Sequence, residues 1–145
     1  MNNSHLLDDL NNILQYLNDS FNGYQLNLKD ISDSRLKSIL EKMCFKRKDM
    51  IEEIKSLIIK SGGTPKDQGT MMGKLHQWYQ DIKNTVTEGD PLSISKQIRT
   101  GESILINAYK DVINEKLPKD IHNLLISQLS QIEDDLKEIE IESVD

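Results

Sequence analysis

Apolar side chains recur along the chain at alternating steps of four and three, a spacing that indicates amphipathic helices rather than strands. The longest stripe lies in residues 32–61, and Arg47 fills one of its steps. Its apolar members are Leu36, Leu40, Met43, Met50, Ile54 and Leu57. A helix of about thirty residues spans roughly 45 Å, too long for a compact domain unless other helices lie alongside it. The pattern therefore predicts a helical bundle.

The same spacing predicts five helices in all, at about 4–28, 32–61, 70–87, 91–114 and 118–139. Ser32 is the expected N-cap of the second helix, and Gly62 supplies the left-handed residue that ends it. Asp90 followed by Pro91 is a strong signal for a helix start. Residues 140–145 are expected to fray.

The lengths of the connections predict how these helices are arranged. A few residues join the first helix to the second and the fourth to the fifth, which indicates two antiparallel hairpins. The long connection at 62–89 carries a short helix, whose face of Met72, Leu75, Tyr79 and Ile82 should pack on the bundle, with Trp78 at its edge. We expect one all-α domain over residues 1–145, a ferritin-like four-helix bundle with a long crossover. An irregular bundle of five full members is the alternative.

Composition narrows the function without identifying it. The formal charge of −6 argues against nucleic acid and anionic membrane surfaces as partners. Residues 1–10 carry neither the basic nor the apolar segment of a secretory leader, and no apolar run reaches membrane length, so we expect neither a leader nor a membrane span. The single cysteine, Cys44, lies within the apolar pattern and is expected to be a small buried hydrophobe. These features favour a cytoplasmic protein.

Several segments resemble a known family. They are LIIKSGGTPKDQGTMMGKLHQWY at 57–79, GDP at 89–91, GESILINAY at 101–109 and LP at 117–118. Together they resemble the bacterial ferritin-like family called domain of unknown function 2383, over about 7–136. The resemblance implies a ferritin-like bundle and no established activity. Members commonly carry a histidine in the last helix near Glu133 and Asp134, and this sequence has none there.

Ferritin-like di-metal sites use a Glu-x-x-His pair from each of two helices. The residues three positions before the histidines His5, His76 and His122 are Asn2, Gly73 and Lys119. None of them is a glutamate, so no such pair exists. We therefore expect no metal, no cofactor and no catalytic residues. His5 and His122 should be exposed, and His76 should be a boundary residue bonded to the backbone. Asp19 and the acidic residues of 133–142 are expected to be solvated.

Two charged residues interrupt apolar stripes about halfway along their helices. Arg47 and Glu102 are expected to pair inside the bundle, because an unpaired buried charge is costly, and Gln128 could satisfy the remaining donors. The alternative is that both charges reach water along their stems. The preferred function is a non-catalytic structural or interaction module whose partner is a protein, including a second copy of the chain. The alternative is a degenerate di-metal protein that uses carboxylates alone.

The complete apolar stripes predict that folding needs no metal. Adding a chelator to the purified protein should leave its helical circular dichroism signal unchanged at room temperature. Loss of that signal would contradict the prediction.

Overall fold

Five α-helices make up the regular structure of a computed structural model that describes residues 4–66 and 74–144, with side chains at 4–66 and 77–140. The described residues contain helices and no strand. Among these helices, none is both long enough and apolar enough to cross a membrane. The helices are α1 (Ser4–Asn27), α2 (Ser34–Lys60), α3 (Lys74–Glu88), α4 (Pro91–Ile113) and α5 (Lys119–Val144), with a 3-10 turn at Leu28–Asp30.

The helix ends follow capping chemistry, with two corrections to the sequence prediction. Asp33, not Ser32, caps α2, because its carboxylate accepts a hydrogen bond from the backbone N–H of Leu36 at 2.8 Å. Gly62 has a φ of 90° and ends the helix as expected. The helix α5 extends to Val144, beyond the predicted end at residue 139. The sequence also predicts Thr70 as the N-cap of the third helix, and this residue lies outside the described residues.

Each long helix packs against two others. The helix α1 contacts α2 and α4, and α5 contacts the same two helices from the other side. Between α1 and α4, His5 bonds Glu115 and Tyr24 donates to the carbonyl of Ile98, so residue numbers rise along one helix as they fall along the other. In α2 and α5, residue 46 meets residue 135 and residue 50 meets residue 128. The helices α1 and α4 are therefore antiparallel, as are α2 and α5.

The short helix α3 packs against α1 and α4 and contributes Trp78, Ile82 and Val86 to the core, all buried. Tyr79 is partly buried against the same cluster. This part of the predicted apolar face is therefore packed on the bundle, whereas the side chains of Met72 and Leu75 lie outside the described set. The helix is a member of the core and not only a crossover.

Trp78 was expected at the edge of the apolar face and is instead only 1% exposed. Its ring lies between two glycines, one on α1 and one on α4. A Cβ atom added to Gly23 would lie 2.7 Å from the ring, and one added to Gly101 would lie 2.5 Å from it. The indole N–H donates to the Gln97 carbonyl at 2.7 Å, and the ring meets Tyr24 edge to face. Because glycine has no side chain, Gly23 and Gly101 leave room for the indole.

Gly101→Ala should destabilise the protein by about 1–3 kcal/mol, because the new methyl group meets the rigid indole and outweighs the gain in helix propensity. Urea denaturation measures the change in the free energy of unfolding. Thr100→Ala, at the exposed neighbouring position, should change it by less than about 0.5 kcal/mol. A Gly101→Ala protein as stable as the parent would show that the indole can move aside.

Candidate functional site

A polar layer crosses the middle of the bundle and separates two apolar clusters. The first cluster includes Leu17, Met50, Leu105 and Ile132, and the second includes Tyr24, Met43, Ile98 and Ile139. Between these positions each long helix contributes a buried polar side chain to the layer. They are Ser20, Arg47, Glu102 and Asp135, and none of them is more than 2% exposed.

Arg47 and Glu102 form a bidentate ion pair at the centre of this layer. Arg47 Nη1 donates to Glu102 Oε2 at 3.0 Å, and Nη2 donates to Oε1. Both side chains are completely buried. Two parallel hydrogen bonds between a guanidinium and a carboxylate are the strongest geometry available to such a pair. The structure therefore places these two sequence-predicted residues together.

The remaining members of the layer surround the ion pair. Tyr24 donates its hydroxyl to Glu102 Oε2 at 2.7 Å. Arg47 also lies 3.5 Å from Ser20 Oγ and from Asp135 Oδ2, while Lys46 reaches the other oxygen of Asp135 at 3.3 Å. Two cations thus face two carboxylates. Arg47 Nε has no hydrogen-bond partner among the described residues.

Burial and charge act in opposite directions on these groups. Burial alone would lower the pKa of Arg47, but the charge of Glu102 and its hydrogen bonds outweigh burial and raise it. Burial raises the pKa of Tyr24 well above its ordinary value, and the neighbouring Glu102 charge adds to the rise. Burial also raises the pKa of Asp135, against the opposing charge of Arg47. Arg47 is therefore cationic and Tyr24 neutral at physiological pH.

The third predicted member, Gln128, does not join this layer. Its Oε1 accepts from the Tyr109 hydroxyl at 2.6 Å, and its Nε2 donates to the Met50 carbonyl at 3.2 Å and to Glu53 at 3.1 Å. The expectation that Gln128 satisfies Arg47 is wrong, because the bonds of its amide go to Tyr109, Met50 and Glu53, closer to the other end of the bundle.

Sequence reasoning missed Ser20 and Asp135. Asp135 was assigned to a solvated acidic face, yet its side chain is 1% exposed. Asp134 and Glu138, in the same acidic stretch, are exposed as predicted. Asp135 lies three residues after the buried Ile132, a spacing that could have placed it on the inner face.

Asp19 is a second correction. It was expected to be solvated, but it is 2% exposed, and its Oδ1 has no hydrogen-bond partner among the described residues. Burial raises the pKa of Asp19 to about 6, and a hydrogen bond from Gln15 acts weakly against that rise. Asp19 is an ionisable group held in an unfavourable environment.

A separate polar cluster lies at one end of the bundle. His5 bonds Glu115, which follows α4, and lies 3.4 Å from Asp9 Oδ2 one turn along α1. His5 is exposed as expected, whereas His122 is half-buried. The side chain of His76 is outside the described set. Sequence reasoning did not identify the cluster, because its members are 110 residues apart.

Neither the ion pair nor Cys44 is suited to catalysis. Arg47 and Glu102 are shielded from solvent, and each Glu102 oxygen already accepts a hydrogen bond. Burial raises the pKa of the Cys44 thiol to about 11, so it stays protonated and behaves as the predicted small hydrophobe. The polar layer is arranged to hold helices together.

The described fold defines an all-α protein with a polar layer in its core. A family model described as a domain of unknown function (DUF2383) matches residues 5–115, more than half of the chain, and the chain belongs to this family. The match ends before Leu117 and Pro118, so α5 lies outside it, although the resemblance was expected to reach residue 136. No curated protein matches the chain.

Removing either member of the central pair should leave a buried charge without its partner. Arg47→Met and Glu102→Gln should each lower the free energy of unfolding by about 3 kcal/mol, and the double variant should lose much less than their sum. The surface pair of exposed Glu52 and half-buried Lys55 serves as a control, with coupling below about 0.5 kcal/mol. Additive effects at Arg47 and Glu102 would mean that the pair does not form.

Asp19→Asn should stabilise the protein at neutral pH. Because its pKa is raised, Asp19 keeps its proton to a higher pH in the folded state than in the unfolded state. The stabilisation of the folded state by this proton is complete below the unfolded pKa of 3.8 and is lost as pH rises through about 6. The variant should therefore gain on the order of 1–2 kcal/mol at about pH 7.5 and much less at about pH 4. Urea denaturation at both pH values measures this, with exposed Asp49→Asn as the control. Equal effects at both pH values would contradict it.

Proposed function

We propose that this chain is a ferritin-like four-helix bundle without a central metal, which acts as a structural or interaction module. The helix order supports the ferritin-like arrangement. Short connections join α1 to α2 and α4 to α5, and a long one containing α3 joins α2 to α4. One long crossover between two hairpins is the connectivity of ferritin-like bundles.

The observation that carries the metal-free function is the buried Arg47–Glu102 pair. Ferritin-like di-metal proteins direct carboxylates and histidines from all four helices toward the bundle interior. Here α2 contributes a guanidinium at mid-length, bonded to Glu102 of α4 and 3.5 Å from Asp135 of α5. The carboxylates that could ligate a metal already face a cation.

The charge of Arg47 also opposes metal entry. At an effective dielectric constant of about 20, a divalent cation about 4 Å from a unit positive charge is repelled by roughly 8 kcal/mol. The Glu102 charge raises the pKa of Arg47 against the effect of burial. The guanidinium therefore does not lose its proton, and its repulsion of a cation persists. A core metal would have to displace the guanidinium.

An interaction role is supported by the surface. Phe45 on α2 is 76% exposed, and Ile59 on the same helix is 63% exposed. Contact of these two side chains with another protein would remove apolar area from water, and we take a second copy of the chain as the partner. The buried free thiol of Cys44 is compatible with a reducing compartment, so we place the protein in the cytoplasm.

Metal analysis tests the proposal. Untagged protein is purified without chelator, and its iron and manganese are measured by mass spectrometry in the parent and in His5→Ala. The substitution removes the imidazole at the end of the bundle, so that any remaining metal reports on the core. We expect well below one equivalent in His5→Ala. A full equivalent, lost in Glu102→Gln, would favour the di-metal alternative.

A further inference from the structure

A cluster of ligand-type side chains joins two helices at the end of the bundle where α1 begins and α4 ends. His5 and Asp9 lie one turn apart on α1, and Glu115 follows the last turn of α4. One ligand atom from each residue lies within 4.8 Å of the other two. The antiparallel packing of α1 and α4 brings these atoms together from 110 residues apart.

Asp9 is the inner member of this cluster. Its side chain is 15% exposed, and its Oδ2 is buried without a hydrogen-bond partner among the described residues. Its neighbours are His5 Nε2, 3.4 Å from Oδ2, and the Glu115 carboxylate. Two carboxylates are thus held close together beside a single imidazole. A bound cation would offset the repulsion between them.

We propose that His5, Asp9 and Glu115 bind a divalent transition metal, for which Zn²⁺ is the best match. Imidazole nitrogen and carboxylate oxygen are both donor types that zinc accepts in proteins, and three protein ligands leave one tetrahedral position open to water. The imidazole favours zinc over calcium or magnesium, which prefer oxygen ligands. The site is distinct from the polar layer, where Arg47 repels cations.

The exposure of the cluster suits metal exchange with solvent. The His5 side chain is 74% exposed and that of Glu115 is 36% exposed, so a cation reaches them without opening the bundle. Since Glu115 lies just after the end of α4 and the other two ligands are on α1, the metal would hold the end of α4 against α1. Binding should therefore stabilise the folded state.

The competing explanation is a metal-free ion pair. His5 bonds Glu115 in the structure, and that hydrogen bond raises the pKa of His5. A protonated imidazole between two carboxylates would connect the helices without any metal. The two explanations differ in whether zinc binds saturably and in which histidine it requires.

Isothermal titration of untagged protein with zinc chloride, at about pH 8, well above the ordinary pKa of imidazole, tests the proposal. We expect one zinc per chain in the parent and binding weakened by at least about tenfold in His5→Ala and in Glu115→Gln. His76→Ala and His122→Ala should bind as the parent does. Calcium and magnesium should give no comparable binding.

Thermal unfolding provides a second readout. Excess zinc should raise the melting temperature of the parent and have a much smaller effect on His5→Ala, which should still show the helical signal of a folded protein. Absence of saturable zinc binding to the parent would overturn the proposal, as would equal binding by His5→Ala. Neither result depends on whether the bundle core excludes metal.

Discussion

Burial of the Arg47–Glu102 ion pair is the constraint around which the bundle is organised. A guanidinium removed from water is costly, and the bidentate carboxylate offsets that cost only while α2 and α4 keep their relative position. Each long helix adapts to the pair. The helix α1 offers Ser20 and the hydroxyl of Tyr24, and α5 offers Asp135, whose charge is matched by Lys46 of α2.

The packing of α3 is connected to the same layer through an aromatic pair. Trp78 meets the ring of Tyr24 edge to face with centroids 5.3 Å apart, and the Tyr24 hydroxyl bonds Glu102. Gly23 and Gly101 allow the indole to approach two helix backbones. A short helix from the long connection is therefore linked to the centre of the bundle, which explains why its apolar face is buried.

The sequence predicted the helices well because apolar spacing is a local property. Arg47 and Glu102 were recognisable because each replaces an apolar residue in a stripe. Asp135 and Ser20 were missed because each has an apolar neighbour, Leu136 and Phe21, that completes the expected apolar spacing. The buried face of each helix is wider than that single stripe and includes the polar residue as well. The contact of His5 with Glu115 depends on how two helices align, which no local pattern encodes. Ser32 and Asp33 are adjacent capping residues, so the helix start was ambiguous.

The central ion pair also bears on how the chain reaches this fold. Arg47 and Glu102 are separated by 55 residues, so a hairpin of α1 and α2 formed alone would leave its arginine hydrated. If that hairpin packed against an apolar surface without a matching carboxylate, Arg47 would be buried without a partner for its charge. Sliding α4 by one turn, about 5.4 Å, would break both hydrogen bonds. We infer that the pair disfavours half-assembled and misregistered bundles, making assembly of the two hairpins a single cooperative step.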